Sequence, residues 1–204
     1  YARDTRFTRL VNLVIRNLAG VPSVVYGILG LAVFKELLGG AGKANPAWYQ
    51  FTGGPTLIAA GMTMAILVLP IVIITSAEAI RAVPGSLREA GFGVGATRSE
   101  VIRSHVLPYA APGILTGTVL SFARASGEAA PLLMVGAITG LLPTYGTVPD
   151  QLTGKFTALP MVIYGTLRKP ESQGWPAVTA AVILVLMAVL LVANAGAIFA
   201  RNYF

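Results

Sequence analysis

The chain has 204 residues, of which 55% are hydrophobic and only 11% are charged, whereas a soluble domain carries about 25% charged residues. Its mean hydropathy is +0.73. These values exclude a single water-soluble globule, and they exclude a disordered chain, which would be polar and highly charged. Cysteine is absent and histidine occurs once. A disulfide framework and a thiolate metal site are therefore excluded, and a histidine-rich metal site is not expected.

Long stretches without formal charge predict the membrane-spanning segments. They occupy residues 17–34, 44–77, 104–123 and 172–200, and a spanning helix needs about 20 mainly apolar residues. We therefore predict an all-α integral membrane protein, because lipid offers no partner to unpaired backbone groups. Four spans are predicted, at about 10–38, 55–79, 107–137 and 175–200. Since the first residue is Tyr1, we expect a single transmembrane domain, 1–204, that is incomplete at its N-terminal end.

The basic residues of the loops predict the orientation, since Lys and Arg concentrate on the cytoplasmic side. Eight arginines flank the predicted spans on one side of the membrane: Arg3, Arg6, Arg9, Arg81, Arg88, Arg98, Arg103 and Arg201. Only four basic residues lie in the loops on the other side: Lys43, Lys155, Arg168 and Lys169. The N-terminus, the 80–106 loop and the C-terminus are therefore predicted to be cytoplasmic. The loops at 39–54 and 138–174 are predicted to face outside, with a short surface helix at 157–168.

The loop of about 80–108 carries two capping-box patterns. Ser86 with Glu89 is one and Thr97 with Glu100 is the other, and such pairs mark helix starts. Helices are predicted at about 87–93 and 98–105, joined flexibly by Gly91, Gly93 and Gly95. The apolar residues of these two short helices would form a surface that docks on a soluble partner: Leu87, Phe92, Val101 and Ile102. The alternative is a well-capped loop that only joins two spans.

The third predicted span contains two ionisable residues, Arg124 and Glu128. Four residues apart in a helix, they would share one face, and charges at membrane depth are a sign of function. Small residues recur on the same helix at a spacing that lets another helix approach closely: Gly113, Gly117, Ser121 and Ala125. Arg124 is therefore expected to point into protein or a cavity, where its guanidinium would suit phosphate oxygens. The alternative is an internal ion pair that holds helices together.

The loop resembles the EAA loop of ABC-importer permeases. Glu89 and Ala90, then Gly95, then Leu107 and Pro108 fall in the register of that motif. Gly91 stands where the motif has Ala, and His105 stands at its aliphatic position. The resemblance implies the type I ABC-importer permease fold. It also implies that these five residues couple the chain to a separate ATPase subunit.

Nearly the whole chain resembles, more narrowly, the A-type permease family of bacterial phosphate importers (PstA). The resemblance lies in Arg81-Ala-Val-Pro, in Gly20-Val-Pro-Ser-Val-Val-Tyr-Gly, and in Ala-Arg124-Ala-Ser-Gly-Glu128-Ala-Ala-Pro-Leu-Leu. It implies phosphate import, with Arg124 as a substrate contact, and two further spans before Tyr1. The implied partners are a second homologous permease, two copies of an ATPase subunit and an external phosphate-binding protein. We expect the small-residue face to pack against the partner permease.

No enzymatic role is predicted for the chain itself. The glycines before Lys43 and Lys155 lack the spacing of a phosphate-binding loop, and neither lysine is followed by Ser or Thr. No cofactor is therefore expected on this chain, and ATP with magnesium would be bound by the partner ATPase. Two other functions stay open: the same architecture carrying another oxyanion or small solute, and a membrane scaffold that transports nothing. Neither a neutral cargo nor a scaffold explains the Arg124–Glu128 pair.

Overall fold

The computed structural model describes residues 5–37, 56–140, 146–170 and 174–203, so the predicted outer loop at 39–54 lies outside the described residues. These residues form helices and no strands, which confirms the all-α prediction. The helices are α1 Arg6–Ala19, α2 Ser23–Gly30, α3 Leu57–Arg81, α4 Gly85–Gly93, α5 Arg98–Val101, α6 Leu107–Gly127, α7 Ala130–Val135, α8 Val148–Thr153, α9 Leu159–Leu167 and α10 Trp175–Tyr203. Two π-helical stretches, Leu31–Leu37 and Ile102–Val106, follow α2 and α5.

Three helices of the described part are long and apolar enough to cross a membrane. They are Leu57–Arg81, Arg98–Gly127 and Trp175–Gly196, and they match the second, third and fourth predicted spans. The first predicted span is not one helix, because α1 and α2 reach the required length and hydropathy only when they are counted together. The third span also differs from the prediction, since α6 ends at Gly127 and α7 begins afresh at Ala130.

The break in the first predicted span has a local cause. Gly20 caps α1, and Pro22 is the residue just before α2. Proline has no backbone N–H and a fixed φ, so it suits a helix start and ends a helix that reaches it. The sequence of α1 is also amphipathic, with three arginines among apolar residues, and none of its residues is buried. It therefore differs in kind from the uniformly apolar spans.

The contacts divide the chain into two compact units. The first unit comprises Tyr1–Gly20, Val68–Arg124 and Leu191–Phe204, and the second comprises Val21–Leu67 and Ala125–Leu190. Each unit has its own hydrophobic core. The core of the first unit lies around the loop between α3 and α6.

The second unit is built around α2, α7 and the α9 segment. Its buried cluster comprises Phe34, Ala59, Ala60, Leu132, Val135, Ala137, Phe156 and Met161. Glycine allows α2 to approach its neighbours: a Cβ at Gly27 would lie 2.7 Å from the Cα of Pro131, and one at Gly30 would collide with the Thr63 side chain. The segment 157–168 does form the predicted helix, α9, and one side of it packs into this cluster; its place at the outer membrane surface stays a prediction. Met161 is fully buried and Val162 is 4% exposed.

The segment before α9 carries a helix cap that the sequence analysis did not identify. Thr147 caps α8, and its backbone N–H donates to Asp150 Oδ2 at 2.9 Å. The Thr147 hydroxyl contacts the same oxygen at 2.7 Å. These hydrogen bonds, first from the hydroxyl and then from the backbone, hold the pKa of the Asp150 carboxyl below its usual value. Asp150 therefore fixes the start of a short helix whose residues are not buried.

Candidate coupling loop and translocation residues

The first helix of the loop, α4, begins two residues earlier than predicted. It runs from Gly85 to Gly93 with Pro84 at its N-cap, and no side chain caps it. The predicted capping box of Ser86 and Glu89 is therefore wrong, because both residues lie inside the helix. Proline with a fixed φ sets the start in place of the hydroxyl cap. Glu89 therefore does not cap the helix, and its side chain is exposed.

The second predicted capping box is confirmed. The Thr97 backbone N–H donates to Glu100 Oε2 at 2.7 Å, and the Glu100 N–H donates to the Thr97 hydroxyl at 3.4 Å. The helix that starts here does not end before the membrane. It passes from α5 through the π-helical stretch into α6, so that Arg98–Gly127 is one helix of 30 residues. The second coupling helix is thus the first part of the third span.

Gly91, which stands where the EAA motif has Ala, is required by the packing of the loop. Gly91 is buried, and a Cβ at this position would lie 2.8 Å from Cγ2 of Val101, which is itself fully buried. Gly91 and Gly93 lie within α4, so the predicted three-glycine joint is wrong for these two residues. Only Gly95 lies in the joint, and its φ of +82° is in the left-handed region that favours glycine.

The apolar residues of the loop divide into an inner and an outer set. Val101 packs with Val83, Val106 and Ala110, and Leu87 lies against this cluster. The predicted docking role is therefore wrong for Val101 and Leu87, which hold the loop together. Phe92 is 44% exposed and Val94 is 84% exposed. Glu89 and Ala90 are exposed as well, and we call these four exposed residues at the end of α4 the coupling face.

Four further residues of the loop differ in their exposure and contacts. Leu107 and Pro108 are exposed where α6 begins. Arg88, which the sequence analysis did not single out, donates from Nη2 to the Ile80 carbonyl at 2.7 Å. It thereby binds α4 to one of the last carbonyls of α3. The single His105 is half-buried in the π-helical stretch, and its Nδ1 has no hydrogen-bond partner among the described residues.

The small-residue face of α6 packs against α3 of the same chain. A Cβ at Gly113 would lie 2.6 Å from the Ala79 Cβ, and one at Gly117 would collide with the Thr75 side chain. Ser121 is 3% exposed, and its hydroxyl donates to the Gly117 carbonyl at 2.8 Å. Close approach at this face is confirmed at Gly113 and Gly117. At these two positions the close neighbour is α3 of the same chain, and packing of the partner permease against the rest of the face stays a prediction.

Arg124 lies in the last turn of α6 and is exposed on this chain. It is 16 residues beyond Pro108, which corresponds to about 24 Å along the helix. Glu128 follows the end of the helix, and its N–H donates to the Ala125 carbonyl at 3.3 Å. The argument that the two residues share one helical face is therefore wrong, because α6 does not extend to Glu128. Arg124 belongs to the first unit and Glu128 to the second, and their pairing stays a prediction.

An all-α chain with several candidate spans and a loop in the EAA register is typical of a membrane permease of the ABC-importer class. Comparison with known families agrees. Residues 1–203 match the family described as binding-protein-dependent transport system inner membrane component, and the chain belongs to that family. It is therefore a multi-pass membrane protein of the type I permease fold.

Individual relatives are about a third identical to the chain over the residues that align. A probable ABC transporter permease protein, YqgH of Bacillus subtilis, is 36% identical over 71% of this chain and 46% of its own length. The phosphate transport system permease protein PstA of Mycobacterium leprae is 32% identical over 88% of this chain and 54% of its own length. PstC 2 of Mycobacterium bovis, also called a phosphate transport system permease protein, is 32% identical over 64% of this chain and 44% of its own length. The chain thus spans about half the length of these curated relatives.

Proposed function

We propose that the chain is a membrane-spanning permease subunit of an ATP-driven importer that carries inorganic phosphate into the cytoplasm. The observation that carries the proposal is Arg124, an arginine exposed in the last turn of a membrane-spanning helix. A charge at that depth is costly and marks a substrate or ion pathway by default. The names of the PstA and PstC relatives support phosphate as the cargo.

Arg124 would lower the barrier that hydrocarbon presents to a phosphate ion. Its planar guanidinium matches two phosphate oxygens at once. Binding must stay weak enough for release, and Glu128 could provide the competing partner. Because Glu128 follows the helix end rather than continuing the helix, its carboxylate is not confined to the helical spacing. We propose that Arg124 exchanges Glu128 for phosphate during transit.

The proposed assembly contains four other subunits besides this chain. A second homologous permease would complete the pathway, as the similarity to both PstA and PstC relatives suggests. Two copies of an ATPase subunit would bind ATP and magnesium, so this chain would carry no cofactor of its own. An external phosphate-binding protein would deliver the cargo. The coupling face would contact an ATPase subunit, with Gly95, Leu107 and Pro108 setting the shape of the loop around it.

The proposal is tested by phosphate uptake in vesicles that contain the assembled importer. Arg124→Gln should abolish uptake while the complex still assembles, and Arg124→Lys should keep a part of it, since the charge remains but the bidentate geometry is lost. Lys155→Gln is the control, because Lys155 is an exposed cation in the predicted outer loop. Uptake of sulfate and of a neutral solute distinguishes the cargo. Wild-type phosphate uptake by Arg124→Gln would overturn the proposal.

A further inference from the structure

The helix α1 combines a basic side with an exposed apolar side. Its three charged residues are all arginines, Arg6, Arg9 and Arg16, and it contains no acidic residue. At 100° per residue the three arginines fall within one arc of the helix, and Phe7, Leu10 and Val14 fall on another. Phe7 is 73% exposed and Leu10 is 59% exposed. A helix of this kind lies in the plane of a membrane interface.

The basic side of α1 lines an open recess of about 430 Å³. Arg9, Asn12, Leu13, Arg16 and Asn17 line it from α1, and Arg81 lines it from the last turn of α3. Three arginines and two asparagines thus line one space, with a single leucine, within the first unit. Glu78 lines an adjoining, smaller recess with Arg16 and Arg81. The three arginines outnumber this one carboxylate, so the recess is positively charged.

The recess lies at one end of a candidate span, and therefore near the membrane surface. Arg81 is the last residue of α3, which is a candidate span, so the recess lies at the end of that span that leads into the coupling loop. With 14 residues, α1 is about 21 Å long and cannot cross a bilayer by itself. An anionic lipid has a negatively charged headgroup, which suits the positively charged recess, and acyl chains, which suit the apolar side of α1. A soluble anion could occupy the recess, but it would not account for the exposed apolar side.

We propose that α1 and the end of α3 form a binding site for an anionic phospholipid of the cytoplasmic leaflet. Arg9, Arg16 and Arg81 hold the headgroup phosphate, and the apolar side of α1 lies among the acyl chains. The site fixes α1 against α3 at the membrane surface. This inference concerns lipid and not cargo, so it stands or falls independently of phosphate transport.

The test is native mass spectrometry of the detergent-solubilised importer complex, titrated with phosphatidylglycerol or with phosphatidylcholine. The wild type should bind its first phosphatidylglycerol more tightly than phosphatidylcholine. Each of Arg9→Gln, Arg16→Gln and Arg81→Gln should weaken that preference about fivefold, the usual effect of one basic residue at an anionic surface. Raising the salt concentration should weaken it further. Arg16→Lys should keep most of the preference, because the charge remains.

The matched control is Arg98→Gln with Arg103→Gln, which removes basic residues outside the recess and should leave the lipid preference unchanged. Thermal unfolding provides a second measurement: phosphatidylglycerol should raise the midpoint of the wild type more than that of Arg16→Gln. A variant that misfolds would show a lowered midpoint without lipid, and the Arg16→Lys comparison then decides. Equal binding of both lipids by the wild type, or an equal loss in the control, would overturn the proposal. So would displacement of the lipid by inorganic phosphate at equal concentration, which would indicate a free-anion site.

Discussion

Single glycines determine the geometry of the coupling loop. Gly95 holds a φ of +82°, and nothing lies within 4 Å of the place where its Cβ would be. A side chain here therefore meets no neighbour, and its cost is purely conformational. Gly91 is the opposite case: it lies within α4, but a Cβ would meet Val101 at 2.8 Å. The two glycines are required for different physical reasons, one for backbone conformation and one for space.

Replacing Gly95 separates backbone strain from side-chain contact. Gly95→Val should destabilise the loop by about 1–2 kcal/mol or more, since a β-branched residue is strained in the left-handed region. Gly95→Asn should be nearly neutral, because Asn tolerates this region best after glycine. We expect Gly95→Val to lose stimulation of ATP hydrolysis by loaded binding protein in assembled complexes, and Gly95→Asn to keep it. Full stimulation in Gly95→Val would show that the loop conformation does not control coupling.

At the scale of elements, the loop and the third span share one helix. Arg98–Gly127 is continuous, which at 30 residues corresponds to about 45 Å. One end carries the capping box of Thr97 and Glu100, and the other end carries Arg124. Arg88 adds a second connection, from α4 to the end of α3. The loop is therefore connected to two spans by backbone and side-chain hydrogen bonds, through which we expect a displacement of the loop to reach both spans.

The contact of α3 with α6 can be tested by a pair of complementary substitutions. Gly113→Ala should destabilise the protein by about 1–3 kcal/mol, because the new Cβ meets the Ala79 Cβ in a packed interface. Adding Ala79→Gly removes that Cβ and should recover the loss, apart from the helix propensity cost of about 1 kcal/mol for glycine. The thermal unfolding midpoint of the purified protein measures both effects.

The matched control for this pair is Gly61→Ala. Gly61 lies in α3, and nothing lies within 4 Å of its Cβ position, so the substitution should be neutral or slightly stabilising. If Ala79→Gly fails to improve the Gly113→Ala variant, the close approach of α3 and α6 is not what makes glycine necessary at Gly113.

At the scale of the whole molecule, the orientation in the membrane rests on the arginine distribution. The chain has no cysteine, so single cysteines can be introduced without background. Val94→Cys, at a residue 84% exposed, and Val148→Cys, at one 69% exposed, should face opposite sides. An impermeant maleimide should label Val148→Cys in intact cells, and Val94→Cys only in inside-out vesicles. Solubilised samples of both variants are the labelling control, and labelling of Val94→Cys in intact cells would reverse the orientation.

The same cysteine at position 94 also tests the coupling face. Adding the ATPase subunit to inside-out vesicles should protect Val94→Cys from the reagent, because the proposed contact would cover it. Val148→Cys, on the other side of the membrane, should not change its labelling. Unaltered labelling of Val94→Cys with the ATPase bound would place the contact elsewhere.

The sequence by itself determined the features that depend on local chemistry. Uncharged stretches predicted four spans, of which three are single long apolar helices and the first is a bent helix pair, since apolar length is the main requirement of a bilayer. The Thr97 capping box and the left-handed Gly95 were also predictable, because each depends on residues within a few positions along the chain. The EAA register identified the family before any contact was known.

Only the tertiary structure decided which side of each element faces protein. It placed Val101 inside the loop and Val94 outside, explained Gly91 by the Val101 methyl group, and placed Gly113 and Gly117 against α3. These outcomes depend on which residues distant in sequence come together, and hydropathy patterns carry no information on that choice. The break between α1 and α2 has a local cause that the sequence contains, since Pro22 directly precedes α2. The arginine-lined recess, in contrast, is formed by residues distant in sequence, because Arg81 at the end of α3 lies beside α1.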